Sequence, residues 1–179
     1  MAFTIRKSAI EPDLFEIWEG EQCVREIAVS FRIYKIPKSF DSLEKLERWL
    51  KETEWKLARG GAYRLLAIRS QSSSALRQKL ERKRFSASVC EQVLEELQRN
   101  GYLDDEEFER SAILREFKKG YGPRYIEMKL RSKRVRELIS KEMQRERAEQ
   151  LFAKLGGGQK ALRSLARRGF DPDIIRSYY

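Results

Sequence analysis

The chain has 179 residues, 41% of them hydrophobic and 37% charged, with a net charge of +10, which suits one moderate core or a string of small ones. It contains no histidine, which removes the commonest general base and most transition-metal sites, and it carries neither Gly-x-x-x-x-Gly-Lys-Ser/Thr nor Gly-x-Gly-x-x-Gly. An enzyme, a cofactor and a metal site are therefore not expected.

No run of about eighteen apolar residues occurs, and no apolar stretch follows Met1-Ala2-Phe3-Thr4-Ile5-Arg6, so a cytoplasmic protein without a membrane partner is predicted. Cys23 and Cys90 stand far apart with no Cys-x-x-Cys, and both read as small core residues.

From Phe3 to about Ile36 the pattern is strand-like. Phe3-Thr4-Ile5, Leu14 to Trp18 and Cys23 to Val29 form three runs, with a Glu19-Gly20-Glu21-Gln22 turn between the second and third. Phe31, Ile33 and Ile36 continue the alternation to Pro37, so residues 1–38 predict a small antiparallel β region. Ser39-Phe40-Asp41-Ser42 then supplies capping oxygens, and Leu43, Leu46, Trp49, Leu50 and Leu57 recur at helical spacing, giving a linking helix over 39–61. Gly60-Gly61 either interrupts this helix or lies within a longer one reaching Arg69. Trp18, Trp49 and Trp55 are read as packing the sheet against it, in preference to stacking on bases.

Three helical units follow. Over 62–101, Leu65, Leu66 and Ile68 precede a turn at Ser70 to Ser74, then Leu76 and Leu80, then Val89, Val93, Leu94 and Leu97, with Asn100-Gly101 closing the last helix. Over 102–147, Asp104 and Glu107 have capping-box spacing ahead of Phe108, Ile113, Leu114 and Phe117. Gly120-Tyr121-Gly122-Pro123 turns the chain, with Pro123 in the first turn of a helix through Ile126 and Leu130. Asp104 and Asp105 sit at a helix start without a catalytic companion and read as a cap. Over 148–179, Leu151, Phe152 and Leu155 precede Gly156-Gly157-Gly158, followed by Leu162, Leu165, Ile174 and Ile175, with Tyr178 and Tyr179 capping the end.

A basic-apolar signature ties the units together: Lys79 to Phe85, Lys129 to Val135 and Ser164 to Phe170, 50 and 35 positions apart. Each continues four residues on to Val89, Ile139 or Ile174, and the register extends to Val93, Met143 and Tyr178. No unit of this size buries its own apolar face, whereas stacked copies do. The expected fold is mainly α, three tandem three-helix repeats behind the β region and the long helix.

Charge follows the repeats. Residues 71–179 hold 25 basic against 17 acidic side chains, and residues 1–70 hold 13 against 11. Arg77, Lys79, Arg82, Lys83 and Arg84 recur in kind as Lys129, Arg131, Lys133, Arg134 and Arg136, and as Arg163, Arg167 and Arg168. Stacked on one side they would form a stripe for phosphates or an acidic groove, sequence-tolerant and salt-sensitive. The plainer reading is that they serve helix C-termini and solvate the outer face.

The run Asn100-Gly101-Tyr102-Leu103-Asp104-Asp105 with Phe108, then Gly120-Tyr121-Gly122-Pro123 with Ile126 and Leu130, and finally Leu165-Ala166-Arg167-Arg168-Gly169-Phe170, resembles the RecX family of bacterial recombination regulators. The likeness is most specific from Ser70 to Val135 and loosest over the N-terminal sheet. It implies an elongated, curved, monomeric repeat protein that binds the RecA filament on single- or double-stranded DNA. It further implies that RecA is mainly inhibited, in strand exchange, ATP hydrolysis and coprotease activity, within DNA repair, recombination and the SOS response.

On this resemblance Gly101, Tyr102, Leu103, Asp104, Asp105, Phe108, Gly122 and Pro123 are structural, while recurrence and charge make Arg77, Lys79, Arg82, Lys83, Arg84, Lys129, Arg131, Lys133, Arg134, Arg163, Arg167 and Arg168 the candidates for contact with filament or DNA. Members usually end the second helix of a repeat with glycine, as Gly169 does. Arg84 and Arg134 take that place in the first two units, which predicts turns of another shape or an added basic contact. The alternative is a non-specific nucleic-acid-binding helical protein without a dedicated protein partner.

Overall fold

The computed structural model describes residues 3–12, 14–28, 37 and 39–178. The strand readings at Val29, Phe31, Ile33 and Ile36, and the cap at Tyr179, lie outside these residues. Two compact units divide the chain, Met1–Asp105 and Glu106–Tyr179.

The first unit opens with an antiparallel sheet of β1 (Phe3–Lys7), β2 (Leu14–Glu19), β3 (Gln22–Ala28) and β4 (Ser39–Phe40), in the order β3-β2-β1-β4. Phe3 pairs with Glu19 and Phe40, and Ile5 with Ile17, so period-two alternation places Phe3, Ile5, Phe15 and Ile17 on one face. The first helix, α1 (Leu43–Ile68), is capped by Ser42, whose hydroxyl accepts from the Lys45 amide at 3.4 Å. It runs unbroken through Gly60-Gly61, so the linking helix and the first helix of the following unit are one element. Leu46, Leu50, Leu57, Ala58 and Ala62 form its buried stripe.

Two shorter helices complete this unit, α2 (Ser73–Arg82) and α3 (Ala87–Arg99), which close one core with the sheet and α1 through Leu76, Leu80, Phe85, Val89, Val93 and Leu97. Trp49 and Trp55 pack against that core, as expected. Trp18 does not. It alternates with Ile17 onto the other face of β2, where its indole N–H donates to Glu16 at 3.0 Å and the Arg6 guanidinium lies 5.7 Å from its ring centre. The cysteine reading also divides: Cys90 is fully buried on α3, whereas Cys23 is exposed on β3, beside the register shift between Ile17 and Trp18.

The second unit contains α4 (Asp105–Lys118), α5 (Pro123–Leu130), α6 (Val135–Leu138), α7 (Lys141–Lys154), α8 (Gly158–Arg167) and α9 (Pro172–Arg176), with α4 beginning on the last residue of the first unit. Its core joins Ile113, Phe117, Ile126, Val135, Ile139, Ala148, Leu165, Phe170 and Ile174. Phe85, Val135 and Phe170 are all buried, and so are Val89, Ile139 and Ile174, so the recurring apolar positions fill the cores.

The second apolar run of the signature that begins at Lys129, Ile139 to Met143, does not begin a helix at Ile139, and a single separate turn, α6, precedes it and ends at Leu138. Ile139 is extended, and the Ser140 hydroxyl accepts from the Met143 amide at 3.2 Å to start α7. That helix runs through residues 147 and 148, where the third unit was expected to begin. Tyr178 packs on Phe152 with ring centres 4.7 Å apart.

The turns that replace glycine differ from one another. Arg84 is left-handed at φ 62°, the conformation that Gly169 adopts at φ 83°. Arg134 is right-handed, and Arg131 takes the left-handed place at φ 53°. Helix α5 has eight residues against ten in α2 and α8, so it ends early and Ser132 to Arg134 carry the chain to buried Val135.

Candidate nucleic-acid interface

A basic side chain is available to a ligand when its own fold leaves it unpaired. By this criterion the recurring cations separate into two groups within each unit. On α2, Arg77 pairs with Glu91 across to α3, and the Lys79 ammonium donates to the side-chain oxygen of buried Gln71. The Gln71 amide in turn donates to the Leu65 carbonyl at 2.9 Å, so Lys79 supports the end of α1. Arg84 reaches Glu11 at 3.0 Å. Arg82 and Lys83 are exposed and pair with no described acidic side chain.

In the second unit, Lys129 bonds the nearly buried Glu116 at 2.7 Å, as does Lys119 at the same distance. The two ammoniums, Lys119 first, hold the Glu116 carboxyl below its ordinary value, and the bond to Glu116 holds Lys129 above the lysine value. Lys129 also lies 5.8 Å from the centres of Tyr121 and Tyr125, which stack at 4.2 Å.

Arg136 braces three helices, bonding Glu127 at 2.7 Å and buried Asp171 at 3.0 Å, while Gln144 donates to the same Asp171 carboxylate at 3.0 Å. Arg134 lies 3.6 Å from Glu106 and 3.8 Å from Glu109. Arg168 donates to the Gly120 carbonyl at 3.3 Å and sits 5.9 Å from the Tyr121 ring, which makes it a brace of the Gly120-Tyr121 turn. Arg131, Lys133, Arg163 and Arg167 are exposed and pair with no described acidic side chain.

Lys160, Arg124 and Arg176 share that condition and were missed in the sequence. Lys160 was legible there, because Lys160, Arg163 and Arg167 fall at i, i+3 and i+7 on one face of α8. Arg124 and Arg176 were not, since they come from α5 and α9.

The motif residues have structural placements. Gly101 is left-handed after α3, Leu103 is buried, and Tyr102 meets Tyr63 edge-on at 5.1 Å. Asp105 accepts from the Ser73 amide at 2.7 Å, so its carboxylate satisfies the start of α2. Phe108 is partly buried on α4, and Pro123 occupies the first turn of α5. Gly122 donates to the Arg168 carbonyl at 2.7 Å. Among the described residues no cluster of acidic, cysteine or histidine side chains is arranged to hold a metal, and no helix is long and apolar enough to cross a membrane.

Residues 58–97, from the second half of α1 to α3, match the family model of the first three-helix domain of RecX. The regulatory protein RecX of Trichlorobacter lovleyi is 32% identical over 139 residues, covering 66% of this chain and 90% of that protein. This chain belongs to the RecX family. RecX of Pelodictyon phaeoclathratiforme is 36% identical over 132 residues, 65% of this chain and 82% of its own length.

The fold agrees with solved RecX structures. A crystal structure of regulatory protein RecX superposes over 99% of this chain and 98% of its own, with a TM-score of 0.63 at 18% identity. RecX from Lactobacillus salivarius superposes over 70% of this chain and 94% of its own, with a TM-score of 0.60 at 17% identity. The chain is thus a member of a family of regulatory proteins, mainly helical behind a small antiparallel sheet.

Proposed function

We propose that this RecX protein binds the RecA–DNA filament and inhibits RecA, lowering strand exchange, ATP hydrolysis and coprotease activity. Its repeats are α4 to α6 and α7 to α9 in the second unit, preceded by the end of α1 with α2 and α3 in the first, a division that replaces the boundaries at 61/62 and 147/148. The observation that supports binding is that Arg82, Lys83, Arg131, Lys133, Arg163 and Arg167 are exposed and unpaired with described acids, although the chain carries 28 acidic residues. Unneutralised charge at recurring positions is what a phosphate track or an acidic protein groove requires. Arg77, Lys79, Arg84, Lys129, Arg134 and Arg168 are instead engaged in the internal contacts described above, and support the helices and turns that carry the open set.

The test is DNA-dependent ATP hydrolysis by the RecA of the same cell, titrated with this protein at rising salt. Inhibition at or below filament-matched ratios in moderate salt is expected. Inhibition that only tracks displacement of RecA from DNA, and collapses as salt rises, would make the chain a non-specific nucleic-acid binder instead.

A further inference from the structure

Two hollows of the second unit meet at Ala166. One runs along the exposed side of α8 between Lys160, Arg163 and Arg167. The other, about 260 Å³, lies between Arg124 of α5 and Arg176 of α9 and is floored by Ala166, Pro172 and Ile175, with the buried Phe170 beneath them. No acidic side chain lines either hollow, and none of the five cations pairs with a described acid. Other cations of the same unit are neutralised, Lys129 by Glu116 and Arg136 by Asp171. Arg131 and Lys133 of this unit are open as well, but the five cations around Ala166 are the ones that border an apolar surface.

These two properties together restrict the ligand. A surface that only follows a phosphate chain has no use for a floor of Ala166, Pro172 and Ile175, and a purely apolar contact has no use for two guanidiniums at its rim. A nucleotide has both parts, a planar ring with apolar faces and a phosphate on each side. Guanidinium planes also stack on bases, so Arg124 and Arg176 can clasp the ring they flank. The second hollow is smaller than the roughly 300–1,000 Å³ of sites for drug-sized ligands, which suits a single ring system.

We propose that the hollow beside Ala166 receives one unstacked base of single-stranded nucleic acid, while Lys160, Arg163 and Arg167 follow the adjoining phosphates. Duplex bases are stacked on both faces and cannot enter, so this unit distinguishes single strands from duplex by base access. The inference rests on the reading of nucleic acid as a ligand, and it does not require RecA to be present.

Fluorescence anisotropy of the full chain tests it in moderate salt, with a labelled thymidine oligonucleotide, an abasic strand of the same length and a duplex of that length. The thymidine strand is expected to bind about tenfold more tightly than the abasic strand and the duplex, the worth of one well-seated base. Ala166→Leu fills the hollow without changing charge at an exposed helical position, and should abolish that difference while leaving abasic-strand affinity unchanged. Arg124→Ala with Arg176→Ala should weaken the thymidine strand more than the abasic strand, with circular dichroism reporting that each variant folds.

Equal affinity for thymidine and abasic strands, or an Ala166→Leu variant that keeps the difference, would overturn the proposal and leave only a backbone track. Polyglutamate that binds as tightly as the thymidine strand and is lost in Ala166→Leu would overturn it in favour of an acidic protein segment. Because no RecA is present, a failure to inhibit RecA ATP hydrolysis would sink the filament reading without touching this result.

Discussion

Gly122 and Gly169 lie backbone against backbone. The Gly122 amide donates to the Arg168 carbonyl at 2.7 Å and the Arg124 amide donates to the Gly169 carbonyl at 3.1 Å, which joins the start of α5 to the turn after α8. A Cβ at Gly122 would overlap the Gly169 carbonyl, and one at Gly169 would overlap the Tyr125 backbone. The two families of contact meet where Tyr121, Tyr125 and Arg168 also pack.

Gly122→Ala is accordingly expected to cost about 1–3 kcal/mol, since the obstructing atoms are main-chain and cannot rotate away. Gly169→Ala adds the cost of a left-handed residue, about 1–2 kcal/mol. Urea unfolding measures both; a loss below about 0.5 kcal/mol for Gly122→Ala would mean that the two segments separate freely.

Glu116 gives the second unit an acid-sensitive element. Its carboxyl is held low by Lys119 and Lys129, so the unfolded chain takes up this proton more readily than the folded one. The stabilisation is complete above the ordinary carboxylate value and is lost as pH falls through the lower folded value. Lys129 behaves conversely: its raised value supplies stability that is present below the ordinary lysine range and lost as pH rises through the folded value. Glu116→Gln should be less stable than the wild type at neutral pH, and the gap should close as the solution is acidified. Urea midpoints across pH measure this, and a gap independent of pH would contradict it.

The two thiols differ in reactivity. Burial pushes the Cys90 thiol up to about 11, while Cys23 is exposed on β3. A disulfide reagent at neutral pH is expected to titrate one thiol in the native protein and a second only after denaturation, because the thiolate is the attacking form. Two thiols reacting at the same fast rate without denaturant would show that α3 opens readily.

The sequence made the cores legible because Leu80, Leu165, Phe85 and Phe170 repeat at fixed intervals and burial follows apolar periodicity. The end of α1 was open because Gly60-Gly61 carries no signal distinguishing an interruption from a tolerated pair. Helix α6 was not anticipated, because Ile139 and Met143 keep the apolar spacing across a break that the Ser140 cap creates. The interface was least legible. Arg77 and Arg82 look equivalent in sequence, and only the fold brings Glu91 to the first and leaves the second exposed. The partner of Arg136 lies 35 residues away at Asp171, beyond the reach of any local pattern.

The most direct test compares wild type with two charge variants in the DNA-dependent ATP hydrolysis of the cognate RecA. One replaces the unpaired Arg82, Lys83, Arg131, Lys133, Arg163 and Arg167 with Ala, and the other replaces the paired, exposed Lys141 and Arg145. If the unpaired set forms the contact, inhibition falls at least about tenfold in the first variant, with helical content unchanged, and persists in the second. Full inhibition by the first variant would contradict the account and move the filament contact elsewhere on the chain.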